Sequence, residues 1–102
     1  MKTKTNTSKT ILVPFETWAF LRRRMSVERS GRTLDDEAVA RMWRRCHKVN
    51  GDRVQLDKNS LGGVNASGKW YEWSVEEMVA MIEAEGLPFE PGDEIEYIEV
   101  YL

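Results

Sequence analysis

Residues 63–69 read Gly-Val-Asn-Ala-Ser-Gly-Lys, the spacing of a phosphate-binding loop, in which glycine N–H groups cradle phosphates and the lysine neutralises them. That chemistry also needs a Ser or Thr after the lysine to hold magnesium, and a helix whose N-terminus faces the phosphates. Here Trp70 follows and the next residues alternate like a strand, so a hairpin loop is expected instead. Cys46-His47 is the one Cys/His pair. Adjacent helical positions point apart, and without a second Cys or His the chain completes no zinc set. Carboxylates are plentiful in the second half, but none is marked by its spacing as half of an acid–base pair. Trp70, Tyr71 and Trp73 could stack on bases, although core packing with one exposed ring explains them as well. The expectation is a protein that is not an enzyme, with no cofactor, no metal and no small-molecule substrate.

Charge is the stronger signal. The net charge of −2 conceals two halves of opposite sign: residues 1–53 hold 13 Lys/Arg against 6 Asp/Glu, and residues 54–102 hold 2 against 11. The single cysteine excludes an internal disulfide, and no apolar run approaches the length of a membrane span. The start, MKTKTNTSKT, has lysines but no apolar stretch after them, so it is not read as a signal peptide. A soluble protein of the cytoplasm is expected.

The elements that would position these charges follow from local signals. Residues 1–9, rich in Thr, Lys and Ser, read as a flexible arm, and residues 10–102 as one α+β domain of order β-α-α-β-β-α-β. Within it, residues 10–49 form a basic strand-helix-helix part and residues 53–102 an acidic β-β-α-β part. Thr10 to Val13 is β-prone and ends at Pro14, which suits the first turn of a helix. Phe15, Trp18, Leu21 and Met25 then recur at helical spacing, while Arg22, Arg23 and Arg24 fan over more than one side. Gly31 fits a helix stop and Thr33 the N-cap of a second helix carrying Arg41, Arg44, Arg45 and Lys48 on one side, closed by Asn50-Gly51. Arg53 to Asp57 and Lys69 to Trp73 read as strands. Ser74 to Glu77 is a capping-box pattern opening a helix that Gly86 ends. Pro88 to Gly92 reads as a turn and Glu94 to Leu102 as the last strand, with Ile98, Val100 and Leu102 on one face.

The stretch from residue 8 to 46 resembles the ribbon-helix-helix DNA-binding proteins, the group of the methionine and Arc repressors. Thr10-Ile11-Leu12-Val13-Pro14 is similar to the ribbon, and Gly31-Arg32-Thr33 to the turn between the helices. The resemblance implies an obligate homodimer whose two strands pair antiparallel and enter the major groove of duplex DNA. Ile11 and Val13 would then face the core, Ser8, Thr10 and Leu12 the groove, and Thr33 would hold a phosphate at the start of the second helix. Leu12 stands where the family carries a polar or basic reader, and the first helix is about two residues long for the family. Arg22, Arg23, Arg24 and Arg32 would add phosphate contacts, giving a small transcription regulator.

A second expectation belongs to another class: a small phage-type protein that binds and inhibits or modulates a larger host protein. Glu83, Glu85, Asp93, Glu94, Glu96 and Glu99 would supply an acidic surface for it. Glu83 and Glu85 fall in the last turn of their helix, where the macrodipole disfavours acids, so a basic counterpart is expected. The discriminating feature is which charges the fold neutralises internally. Free arginines favour DNA, and arginines met by the chain's own acids favour a protein partner.

Overall fold

The computed structural model describes residues 2–101, with side chains described for residues 8–96. Leu102 lies outside the described residues. In chain order the elements are β1 (Lys2–Ser8), β2 (Ile11–Pro14), α1 (Phe15–Ser30), α2 (Asp36–Arg45), β3 (Arg53–Leu56), β4 (Gly63–Val64), β5 (Trp70–Tyr71), α3 (Val75–Glu85), β6 (Glu90–Pro91) and β7 (Ile95–Tyr101). The α+β class and the N-terminal strand-helix-helix order agree with the sequence.

β2 is the middle of a three-stranded antiparallel sheet ordered β3-β2-β6. Ile11 pairs with Leu56 on one side and Pro91 on the other, and Leu12 with Gln55 and Glu90. The strand that the ribbon resemblance would pair with a second chain is bonded along both edges by its own. The physical reason is the Pro88–Gly92 segment: it reads as a turn, yet Glu90 and Pro91 add a short outer strand. Pro91, having no N–H to donate, suits that edge position.

Ile11 and Val13 are buried as expected and share one core with Val54 and Leu56 from β3, Trp18, Leu21 and Met25 from α1, Val39 from α2, and Met78 and Ile82 from α3. Trp73 and Leu61 close this core from the connecting segments. Pro14 is the N-cap of α1 and Gly31, at φ 70°, ends it through a hydrogen bond from its N–H to the Val27 carbonyl. α3 carries the full capping box: Ser74 Oγ accepts from Glu77 N at 3.1 Å, and the Glu77 carboxylate accepts from Ser74 N.

Two further expectations are corrected. The arm is not loose: Lys2–Ser8 pairs antiparallel with Ile95–Tyr101 over seven residues, from Lys2 opposite Tyr101 to Ser8 opposite Ile95. A segment rich in threonine, a β-branched residue, takes strand backbone once a partner strand supplies its hydrogen bonds. The second helix starts later than Thr33. Asp35 is its N-cap, accepting from Ala38 N at 2.7 Å, and Leu34 and Val39 stand at the two positions of a hydrophobic staple. It also ends earlier than Asn50. Lys48 turns back so that its ammonium donates to the carbonyls of Trp43 and, at 3.0 Å, Cys46. The hairpin expected in place of a phosphate loop is present. Gly63 and Val64 pair with Tyr71 and Trp70, and Asn65 Oδ1 holds the turn by accepting from Ser67 N and Lys69 N, both at 3.0 Å.

Candidate functional site

The groove-reading positions of the ribbon resemblance are used inside the molecule. Thr10 is buried, its hydroxyl donating to the Asp93 carbonyl while its own carbonyl accepts from Gly92 N at 2.9 Å. Leu12 is half-buried in the sheet, and Ser8 ends β1. Thr33 and Arg32 lie exposed in the link before α2. The start of α2 is capped by a carboxylate and followed by Asp36 and Glu37. Its N–H groups are thus met by the chain's own anion, and the surrounding acids repel a phosphate.

The α1 arginines are also absorbed. Arg22 lies half-buried with its guanidinium 5.7 Å from the Trp18 ring centre, and its Nε is buried without a hydrogen-bond partner among the described residues. Burial lowers its pKa from the ordinary arginine value; the nearby Cys46 opposes this and Arg29 reinforces it. Arg23 pairs with Asp36 across the α1–α2 junction. Arg24 pairs with Glu28 one turn on at 3.1 Å, and Tyr71 Oη donates to the same carboxylate at 2.9 Å. Burial would raise the Glu28 pKa, but the hydrogen bonds from Arg24, Tyr71 and Trp73 and the charge of Arg24 outweigh it, so the carboxyl sits below its ordinary value. This cluster docks the β4–β5 hairpin on α1. Its role is structural.

The arginines of α2 are placed differently. Only Val39 of this helix is fully buried, and Arg41, Arg44 and Arg45 lie on the opposite side, exposed and without an ion-pair partner among the described residues. Arg44 and Arg45, in the last turn, also complement the negative end of the helix dipole.

The acidic half is brought together in part. Glu83 and Glu94 stand on the rim of one cleft of about 520 Å³ between α3 and the strands β2 and β6. Its floor is apolar: Ile11, Val75, Val79, Ala80, Phe89 and Pro91. Val75, Val79 and Glu83 are spaced by four on α3, so one row of that helix supplies floor and rim together. Glu76 completes the acidic edge, and Lys9, the one cation among the described residues that line the cleft, lies 3.9 Å from it. The remaining acids do not join them. Glu85 lines a different hollow beside Phe20, and Glu96 is exposed on β7 opposite Thr7. Asp93 is exposed, and its carbonyl anchors Thr10. Glu99 is opposite Lys4 in the ladder, and its side chain lies outside the described residues.

Sequence reasoning named Glu83 and Glu94 but not the floor. Val79 was readable as core, and Phe89 carried no periodic signal at all. The geometry is that of a binding groove: an apolar trough for one or two side chains, with carboxylates placed to meet cations on either side. Among the described residues no group of three or more metal-ligating side chains converges, and no helix is long and apolar enough to cross a membrane. No protein-family model, curated protein or solved structure matches this chain.

Proposed function

We propose that this protein is a non-catalytic binding module that seats a basic, amphipathic segment of another protein in the cleft between α3 and the β2–β6 strands. The observation that carries the reading is the pairing of an apolar floor with the Glu76, Glu83 and Glu94 rim. Glu83 and Glu94 have no ion-pair partner among the described residues. Apolar burial supplies affinity, and the unopposed carboxylates supply steering and selectivity for Lys/Arg-flanked anchors. Modulation of a larger host protein is the activity such a module would have. The test is a selection from a random peptide display library on the wild-type protein and on the Glu83→Lys/Glu94→Lys variant. Wild-type protein should enrich peptides with aromatic or aliphatic anchors flanked by Lys or Arg, and those peptides should bind the variant at least tenfold more weakly. Selected peptides without basic enrichment, or binding both proteins equally, would rule the reading out.

A second reading rests on α2. Arg41, Arg44 and Arg45 form an exposed basic face with no ion-pair partner among the described residues. Such a face attracts the phosphates of duplex DNA through counterion release, without reading bases. This is the DNA-regulator expectation moved from the ribbon to a helix. Fluorescence anisotropy with a labelled duplex at low salt checks it: binding should fall steeply with salt and be lost in the triple Ala variant of these arginines.

A further inference from the structure

We infer that the outer face of α1 is a contact between two copies of this chain. It is separate from the cleft and stands on different residues. Glu16, Phe20, Arg23 and Val27 recur at intervals of four, three and four, which places them in one stripe on the side of α1 away from Leu21 and Met25. Val27 is 51% exposed and Phe15 42%. With Ala19, Phe20 and Leu87 they line a shallow hollow of about 740 Å³ that Glu16, Glu85, Arg23 and Arg24 bound. Apolar groups facing water in one patch mark an interaction surface.

The charges select the partner. Glu16 lies two helical turns before Arg23 and Arg24, with Phe20 midway. An antiparallel α1 from a second copy, turned about a two-fold axis at Phe20, sets its Arg24 opposite Glu16 and its Glu16 opposite Arg24. The two Phe20 rings meet on the axis. Two-fold contacts require a surface that is complementary to itself, and this stripe meets that requirement. The arginine face of α2 and the acidic cleft do not, since each is dominated by one sign and would repel its own copy. Arg24 keeps Glu28 as a partner and gains a second carboxylate across the axis. A helix of 16 residues spans about 24 Å. One such pair therefore makes an interface below about 1,200 Å², which gives weak, concentration-dependent association.

Sedimentation velocity over about a hundredfold range of concentration tests the inference. Wild-type protein should shift from monomer toward dimer as concentration rises. Glu16→Arg alone, or Arg24→Glu alone, should hold it monomeric, because each puts like charges at both ends of the contact. The double variant carrying both changes should dimerise again. Phe20 is half-buried, with part of its ring against the core, so the milder Phe20→Ala should weaken the dimer while keeping a circular dichroism spectrum like that of wild type. A wild-type protein that remains monomeric throughout, a dimer indifferent to the single reversals, or a double variant that fails to recover would each overturn the inference.

Discussion

Two sets of three arginines, one on α1 and one on α2, end in opposite circumstances. Arg22, Arg23 and Arg24 are consecutive, and each residue turns the helix by about 100°. They cannot share a face, so Arg22 is laid over Trp18, Arg23 is drawn to Asp36 and Arg24 to Glu28. Arg41, Arg44 and Arg45 are spaced by three and one, remain on one side of α2, and point away from Val39. The lesson concerns spacing: a run of arginines is a poor sign of a ligand site, because a packed helix must turn part of the run against its own body. The same reasoning favours Glu83 over the more numerous acids of β7, since its row on α3 leads directly onto an apolar floor.

The contrast can be broken most severely under Arg22. Trp18 contacts Phe15 and Trp43, with ring centres at 6.3 and 5.3 Å, and carries the Arg22 guanidinium. Trp18→Ala should cost about 3–5 kcal/mol in denaturant unfolding, as for other buried aromatics. Next in size is Glu28→Gln, which weakens the hydrogen bonds from Arg24 and Tyr71. A loss of about 1–2 kcal/mol at neutral pH is expected, reduced from the full value of such bonds because the pair is partly exposed. Because the folded-state pKa of Glu28 is depressed, its contribution is present above the unfolded carboxylate pKa and is lost as pH falls through the lower folded value. The wild-type and Glu28→Gln stability curves should therefore converge in acid.

The elements legible in the sequence are those fixed by neighbours along the chain. The Ser74/Glu77 capping box, Gly31, Gly86 and the Ile11/Val13 alternation act within a few residues of themselves and appear where they were read, and Pro14 falls one position earlier, as the N-cap and not in the first turn. What escaped depends on distant partners. The strand character of Lys2–Ser8 is decided by residues 95–101, and that of Glu90–Pro91 by β2. Thr33 lost the N-cap to Asp35, where a stronger acceptor coincides with a position that lets Leu34 and Val39 enter the core. The cleft is assembled from residues 9–11, 75–83 and 89–94, and no spacing rule connects those segments.

Smaller effects sharpen the comparison between absorbed and free charges. Arg22→Ala should destabilise by about 1 kcal/mol through lost stacking on Trp18, whereas Arg41→Ala should stay within about 0.5 kcal/mol of wild type. Thermal unfolding of the two variants side by side checks this. Glu83 and Glu85 have no basic residue in their last turn and no ion-pair partner among the described residues. Glu83→Gln/Glu85→Gln should leave stability unchanged or raise it by about 0.5 kcal/mol at low salt, with the gain shrinking as salt is added. A clear loss of stability would mean that these acids are neutralised within the chain.

The most direct measurement is a titration of isotope-labelled protein with a Lys/Arg-flanked amphipathic peptide from the display selection, followed by backbone amide shifts. The expected shifts centre on Ile11, Val75, Val79, Ala80, Glu83 and Phe89, and disappear in the Glu83→Lys/Glu94→Lys variant. Shifts confined to α2 or to the outer face of α1, or persisting unchanged in that variant, would contradict the assignment of the cleft as the binding site.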